Sequence, residues 1–130
     1  MKVLLDTHAW IWLSDSPDKV NMETRQLLAT EQTAVYISAI SVSELSIKQS
    51  LGKLRLSHPL EQWVSRAMSG PKFEPLPITF PHAIHLAKLP WHHRDPFDRL
   101  LIAQAQVEGI AIVTDDPRFS AYGVQVIGAS

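Results

Sequence analysis

Apolar positions in this chain recur at two spacings, and the two alternate. Leu60, Trp63, Val64, Ala67 and Met68 stand at i, i+3, i+4, i+7 and i+8, a stripe down one face of a helix. Between such segments lie short runs rich in β-branched residues. "KVLL" at 2–5, "AVYIS" at 34–38, "AIVT" at 111–114 and "VQVI" at 124–127 read as strands. A weaker strand is read at 76–79, where Pro75 and Pro77 cannot donate to a ladder and so favour a sheet edge. Helices are read over 7–13, 22–32, 42–51, 60–68, 81–88 and 96–108. Ser41 opens the third of them, Gly70 and Pro71 end the fourth, and Gly109 closes the last. Strand and helix in alternation predict a mostly parallel sheet with helices on both faces, an α/β fold in one domain over 1–130. "LPWHHRDPFD" reads as a loop rather than a linker.

Composition narrows the class. Hydrophobic residues make up 45% of the 130, enough for a real core and too many for a disordered tether. The net charge of −1 excludes a global positive field, so any nucleic-acid contact must be local. With no cysteine there is no disulfide and no thiol chemistry, which fits a reducing cytoplasm. Asp6 and His8 interrupt the apolar stretch at the start, which therefore does not read as a signal peptide, and no run reaches membrane-spanning length.

The chemistry lies in the acids. All strands of a parallel sheet end on one edge, where ligands of such folds bind. Asp6 terminates the first strand, Glu44 follows the second, Asp98 begins the helix before "AIVT", and Asp115 and Asp116 follow that strand. Each has a bland use: Ser41 to Glu44 matches a capping box, Asp95-Pro96 a helix start, Asp6 a cap, and Asp115-Asp116-Pro117 a turn. Together, carboxylates crowded onto one edge repel one another unless a cation sits among them. An oxygen donor set points to Mg²⁺ or Mn²⁺ rather than zinc. Such an ion activates water and clamps a phosphoryl oxygen.

"VLLDTHAWIW", "ISAISVSELSIKQSLGKLRL", "HHRDPFDRLLIAQAQVEG" and "IVTDDPRFSAYGVQVI", in this order and spacing, resemble the PIN-domain nucleases, and within them the VapC-type toxins of type II toxin–antitoxin pairs. The resemblance covers nearly the whole chain. It implies an α/β/α sandwich around a parallel sheet of order 3-2-1-4-5 and a Mg²⁺- or Mn²⁺-dependent endoribonuclease. It also implies a small antitoxin partner and a homodimer. The family's acidic positions fall on Asp6, Glu44 and Asp98, and its T-x-D pattern selects Asp116 within Thr114-Asp115-Asp116. Asp115 departs from the commoner neutral or basic residue there and stands as the alternative. Thr7 and Thr114 are then candidates for orienting ligands or waters.

The remaining candidates are weighed against plainer roles. Lys48, one turn past Glu44, suits an i, i+4 ion pair as well as a phosphate contact. Lys53 and Arg55, and His92, His93 and Arg94, form small basic clusters, solvated by default and available to RNA if they flank the catalytic edge. His82 and His85 read as surface histidines, and Trp10, Trp12 and Trp63 as core. A partner groove around Trp10 and Trp12 is a lesser alternative. Two rival functions are a phosphohydrolase with Asp6 as nucleophile and a non-catalytic nucleic-acid- or protein-binding module. The first ordinarily wants a second acid two residues on, where this chain has His8.

Overall fold

Strand β1 (Lys2–Leu5) is buried on both faces, and its alternating side chains separate two cores. Val3 and Leu5 point into one with Val35, Ile37, Ala111, Val113, Trp10 and Trp63. Leu4 points into the other with Leu101, Ile102, Ile112 and Phe119. The computed structural model describes residues 1–69 and 73–130. Its further elements are α1 (Thr7–Asp15), α2 (Met22–Ala29), β2 (Ala34–Ser38), α3 (Ala39–Ser50), α4 (Leu60–Ala67), β3 (Phe73–Leu76), α5 (Phe80–His85), α6 (Pro96–Glu108), β4 (Ala111–Val113) and β5 (Val126–Ile127). Short 3₁₀ turns occupy Pro17–Lys19, Leu86–Lys88 and Pro117–Tyr122.

Every strand pair is parallel, and the order is β3-β2-β1-β4-β5. The sheet order and the two-faced helical packing agree with the expected α/β/α sandwich. β1 lies at the centre, with Leu5 opposite Val113, so the chain leaves β1 and β4 side by side at Asp6 and Thr114. The Asp6 amide continues that pairing, donating to the Val113 carbonyl at 3.0 Å.

Several boundaries differ from the sequence reading, α1 running to Asp15, α5 spanning Phe80–His85 and β5 only Val126–Ile127, and three further ones are instructive. The edge strand is 73–76 rather than 76–79: Pro75 sits opposite Ile37, which an edge position tolerates because an amide there faces outward. Helix α3 begins at Ala39, with Ser38 Oγ accepting from the Ile40 amide, so Ser41 is not its cap. Strand runs straight into helix without a loop. Helix α2 ends at Ala29, where a turn ties the Thr33 amide to the Thr30 carbonyl at 3.2 Å. The stop expected from Gly70 and Pro71 lies outside the described residues. Among the described residues no helix is long and apolar enough to cross a membrane.

Candidate active site

The ends of β1, β2 and β4 and the start of α6 converge on one cavity of about 380 Å³. Asp6, Thr7, Glu44, Lys48, Asp98, Asp115 and Asp116 line it, with Asp95, Arg118, His8 and the half-buried Trp12. A larger cavity of about 480 Å³ near Trp63 and Arg66 contains a single acid, Asp15, whose carboxylate is spent on the Trp63 indole N–H and the Ser57 hydroxyl. The acidic cavity is where the chemistry can lie.

Each acid is held by the element that delivers it. Asp6 caps α1, its Oδ1 accepting from the Ala9 amide at 2.7 Å. Burial pushes its pKa up, against the Thr114 and Ala9 hydrogen bonds. Glu44 is buried in the second turn of α3. It accepts from Thr7 Oγ1 at 2.7 Å on one oxygen and from Lys48 Nζ at 2.6 Å on the other. Thr7 Oγ1 also lies 3.0 Å from Ser41 Oγ, so Ser41 belongs to this network rather than to a cap. Lys48 therefore makes the ion pair that its spacing allowed.

Asp98 sits at the third position of α6, its amide received by the Asp95 carboxylate at 3.0 Å and Pro96 filling the first turn. Burial, then the negative charges of Asp95, Glu44, Asp6 and Asp116, push Asp98 up to about 7. Asp116 goes the other way. Burial raises it, but Arg118 and His93 outweigh that and hold it down at about 2. Its Oδ1 accepts from Arg118 N (3.0 Å) and Nε (2.9 Å), and its Oδ2 from Arg118 Nη2 (2.8 Å). Asp115, also on the cavity wall, has its Oδ1 engaged by the C-terminal segment, accepting from the Ala129 and Ser130 amides at 2.9 and 3.0 Å. Those bonds lower its pKa despite some burial. Thr114 Oγ1 accepts from the Asp116 amide at 3.0 Å and hydrogen bonds the Asp6 side chain.

His93 is the main departure from the sequence reading. Expected as an exposed RNA contact, it is 1% exposed. Its Nε2 lies 2.9 Å from Asp116 Oδ2 and 3.0 Å from Asp98 Oδ2, inside the acidic cluster. Phe119 packs edge-on against the ring at 5.7 Å and Tyr122 Oη takes its backbone N–H at 2.8 Å. Both contacts come from residues more than 25 positions away, so no local pattern announced them. Arg118 was missed too, although Asp116-Pro117-Arg118 does carry a local ion-pair signal. Lys53, Arg55 and Arg94 are exposed and do not line the cavity. His82 is likewise corrected. It is buried, receiving the Thr79 amide at Nδ1 (3.0 Å) with Nε2 facing Glu108 at 2.8 Å.

A parallel sheet in this order, with acids after β1, within α3, at the start of α6 and after β4, defines a class of α/β proteins with a polyacidic C-terminal edge. The chain belongs to the PIN-domain family, whose model matches residues 3–125. It is 29% identical over 121 residues to "Ribonuclease VapC22" of Mycobacterium tuberculosis, covering 92% of this chain and 91% of that protein. The fold is shared with VapBC2 from Rickettsia felis, solved bound to a promoter DNA fragment (TM-score 0.77, 16% identity, 100% of both chains). It is also shared with FitAcB from Neisseria gonorrhoeae (TM-score 0.66, 24% identity, 96% of each chain). A third structure with this fold is VapC20 of Mycobacterium tuberculosis, a toxin that cleaves the sarcin-ricin loop (TM-score 0.61, 16% identity, 94% of this chain and 95% of that one).

Proposed function

We propose that this protein is a Mg²⁺- or Mn²⁺-dependent endoribonuclease, the cytoplasmic toxin of a toxin–antitoxin pair, with Asp6, Glu44, Asp98 and Asp116 as its metal-binding acids. The observation that carries the reading is the convergence of acids on one cavity: Asp98 stands among Asp95, Glu44, Asp6 and Asp116, and burial first, then their charges, push it up to about 7, the mark of a site short of positive charge. The donor set is carboxylate oxygen with no cysteine in the chain, which fits a hard divalent ion. Bound there, such an ion supplies charge neutralisation and water activation at a phosphodiester.

The chain's own residues do the positioning. Asp6 and Asp98 are fixed by helix starts, so their carboxylates approach the cavity from rigid elements. Thr7 and Lys48 together fix the Glu44 carboxylate, one donor to each oxygen. Arg118, largely exposed beside Asp116, is the cation best placed to meet a phosphate entering the cavity. The family membership and the ribonuclease relative support RNA as substrate. The neighbours solved as toxin–antitoxin complexes support a small antitoxin partner. For the homodimer, Phe80 and Ile84 on α5 supply exposed apolar surface, at 84% and 66%.

The test is Asp98→Asn in protein shown to be folded by circular dichroism. RNA cleavage with Mg²⁺ is expected to fall about 100-fold, because the site loses a charged donor. Cleavage at the wild-type rate would remove the metal-site mechanism.

A further inference from the structure

His93 has a use in the cleft that its chain position does not suggest. The Asp95 amide donates to its Nδ1 at 3.1 Å, so Nδ1 is the acceptor and the ring proton sits on Nε2. That proton faces two carboxylate oxygens, Asp116 Oδ2 at 2.9 Å and Asp98 Oδ2 at 3.0 Å. We infer that His93 is a positioning residue whose Nε2–H bridges Asp98 and Asp116 and sets their spacing for a divalent cation. This rests on the metal-centre reading proposed above.

A different role is suggested by the grouping itself. Ligand atoms of His93, Asp98 and Asp116 all lie within 4.8 Å of one another, so the imidazole could be taken for a direct metal ligand. The Asp95 amide decides between the two. For Nε2 to bind a metal, its proton would have to move to Nδ1, where it would confront the Asp95 N–H. Metal-binding histidines ordinarily donate from the other ring nitrogen to a carbonyl or carboxylate; here the other nitrogen receives an N–H.

The bridge is also prepaid in entropy. The His93 carbonyl accepts from Arg99 Nη1 at 3.1 Å, its amide is held by Tyr122 and its ring by Phe119. Arg99 itself is buried and reaches the Pro90 and Leu89 carbonyls at 2.9 and 3.2 Å, fastening the whole 89–93 loop to α6. One donor shared by two acids also counters the repulsion that would otherwise drive them apart. The bridge uses Oδ2 of Asp98 and leaves Oδ1 outside it.

The experiment combines long-range ¹H–¹⁵N correlation of the histidine rings with Mg²⁺ calorimetry on wild type, H93Q and H93F. The signal lost in H93Q identifies the His93 ring among the six histidines. A bare Nδ1 and a protonated Nε2 are expected, unchanged on adding Mg²⁺. H93Q, whose amide can donate from nearly the same place, is expected to bind Mg²⁺ within about threefold of wild type, and H93F about tenfold more weakly. A proton on Nδ1, loss of the Nε2 proton with Mg²⁺, or H93F binding as tightly as wild type would each overturn the inference. Wild-type protein that does not bind Mg²⁺ would overturn the metal-centre reading instead, while the metal-free spectrum still decides whether the bridge exists.

Discussion

Asp116 has committed all four of its lone-pair directions to Arg118 and His93. On the metal-centre reading proposed above, a divalent ion competes with the Arg118 guanidinium for this acid. Arg118→Met is expected to bind Mg²⁺ about fivefold more tightly, the effect of removing one partly solvated positive charge, and to raise the KM for RNA. Calorimetry and steady-state kinetics check the two halves. Asp98 gives a pH dependence with a definite sign. In the metal-free protein its folded pKa of about 7 lies above the unfolded value of about 4, and Asp6 is raised as well. The folded state thus binds more protons across that window, and stability falls as pH rises through it. Asp116, held at about 2, acts oppositely and only at pH below about 4. Metal-free protein is expected to melt higher at pH 5 than at pH 8, and saturating Mg²⁺ to remove that difference. Scanning calorimetry with and without Mg²⁺ reads both. At this scale the sequence was informative about which acids exist but not about their partners. Asp6 and Asp95 do the capping their spacing suggests, Asp116 makes the turn its spacing suggests, and all three also line the cavity. The bland and the chemical readings are both correct there.

At the scale of elements, the Ser38 hydroxyl marks the junction of β2 and α3, and it donates to Gln104 Oε1 of α6 at 2.5 Å. Both residues are fully buried. The helix carrying Glu44 is thereby tied to the one carrying Asp98, through residues six positions from each acid. Alternation and helical stripes made the strand and helix order legible, because each period reports which face meets the core. The boundary errors have local causes. Ser41 resembled a cap, but Ser38 already lies at the strand end with the extended backbone a cap requires. Two prolines flank Leu76, and the pattern could not say on which side of it the ladder would form. The C-terminus of α6 was plainer. Gly109 caps it at φ 66°, with nothing within 4 Å of where a Cβ would stand. Gly109→Ala should therefore cost only the backbone strain, about 1 kcal/mol by urea denaturation, with activity retained.

Over the whole molecule, a net charge of −1 and a strongly acidic cleft are a poor surface for RNA until a cation occupies the site. The proposed metal centre would couple substrate affinity to metal occupancy through that charge. The sheet order could be anticipated from the resemblance alone, and the parallel sense of the strands from strand–helix alternation. The path by which Phe119 and Tyr122 return to enclose His93 could not, because it depends on contacts between distant segments.

Of the chain's four indoles, Trp12 is the one that lines this cleft, and Trp91 is exposed on the surface. Trp10 and Trp63 are sealed in the core, edge to face at 4.9 Å, whereas Trp12 stands on the rim of the acidic cavity. The protein thus carries its own optical gauge. Emission from Trp12 should be quenched as paramagnetic Mn²⁺ enters, and a Trp12→Phe variant should lose most of that response while Mg²⁺ leaves the intensity nearly unchanged. Filling of the site could then be followed by fluorimetry, with no RNA in the cuvette.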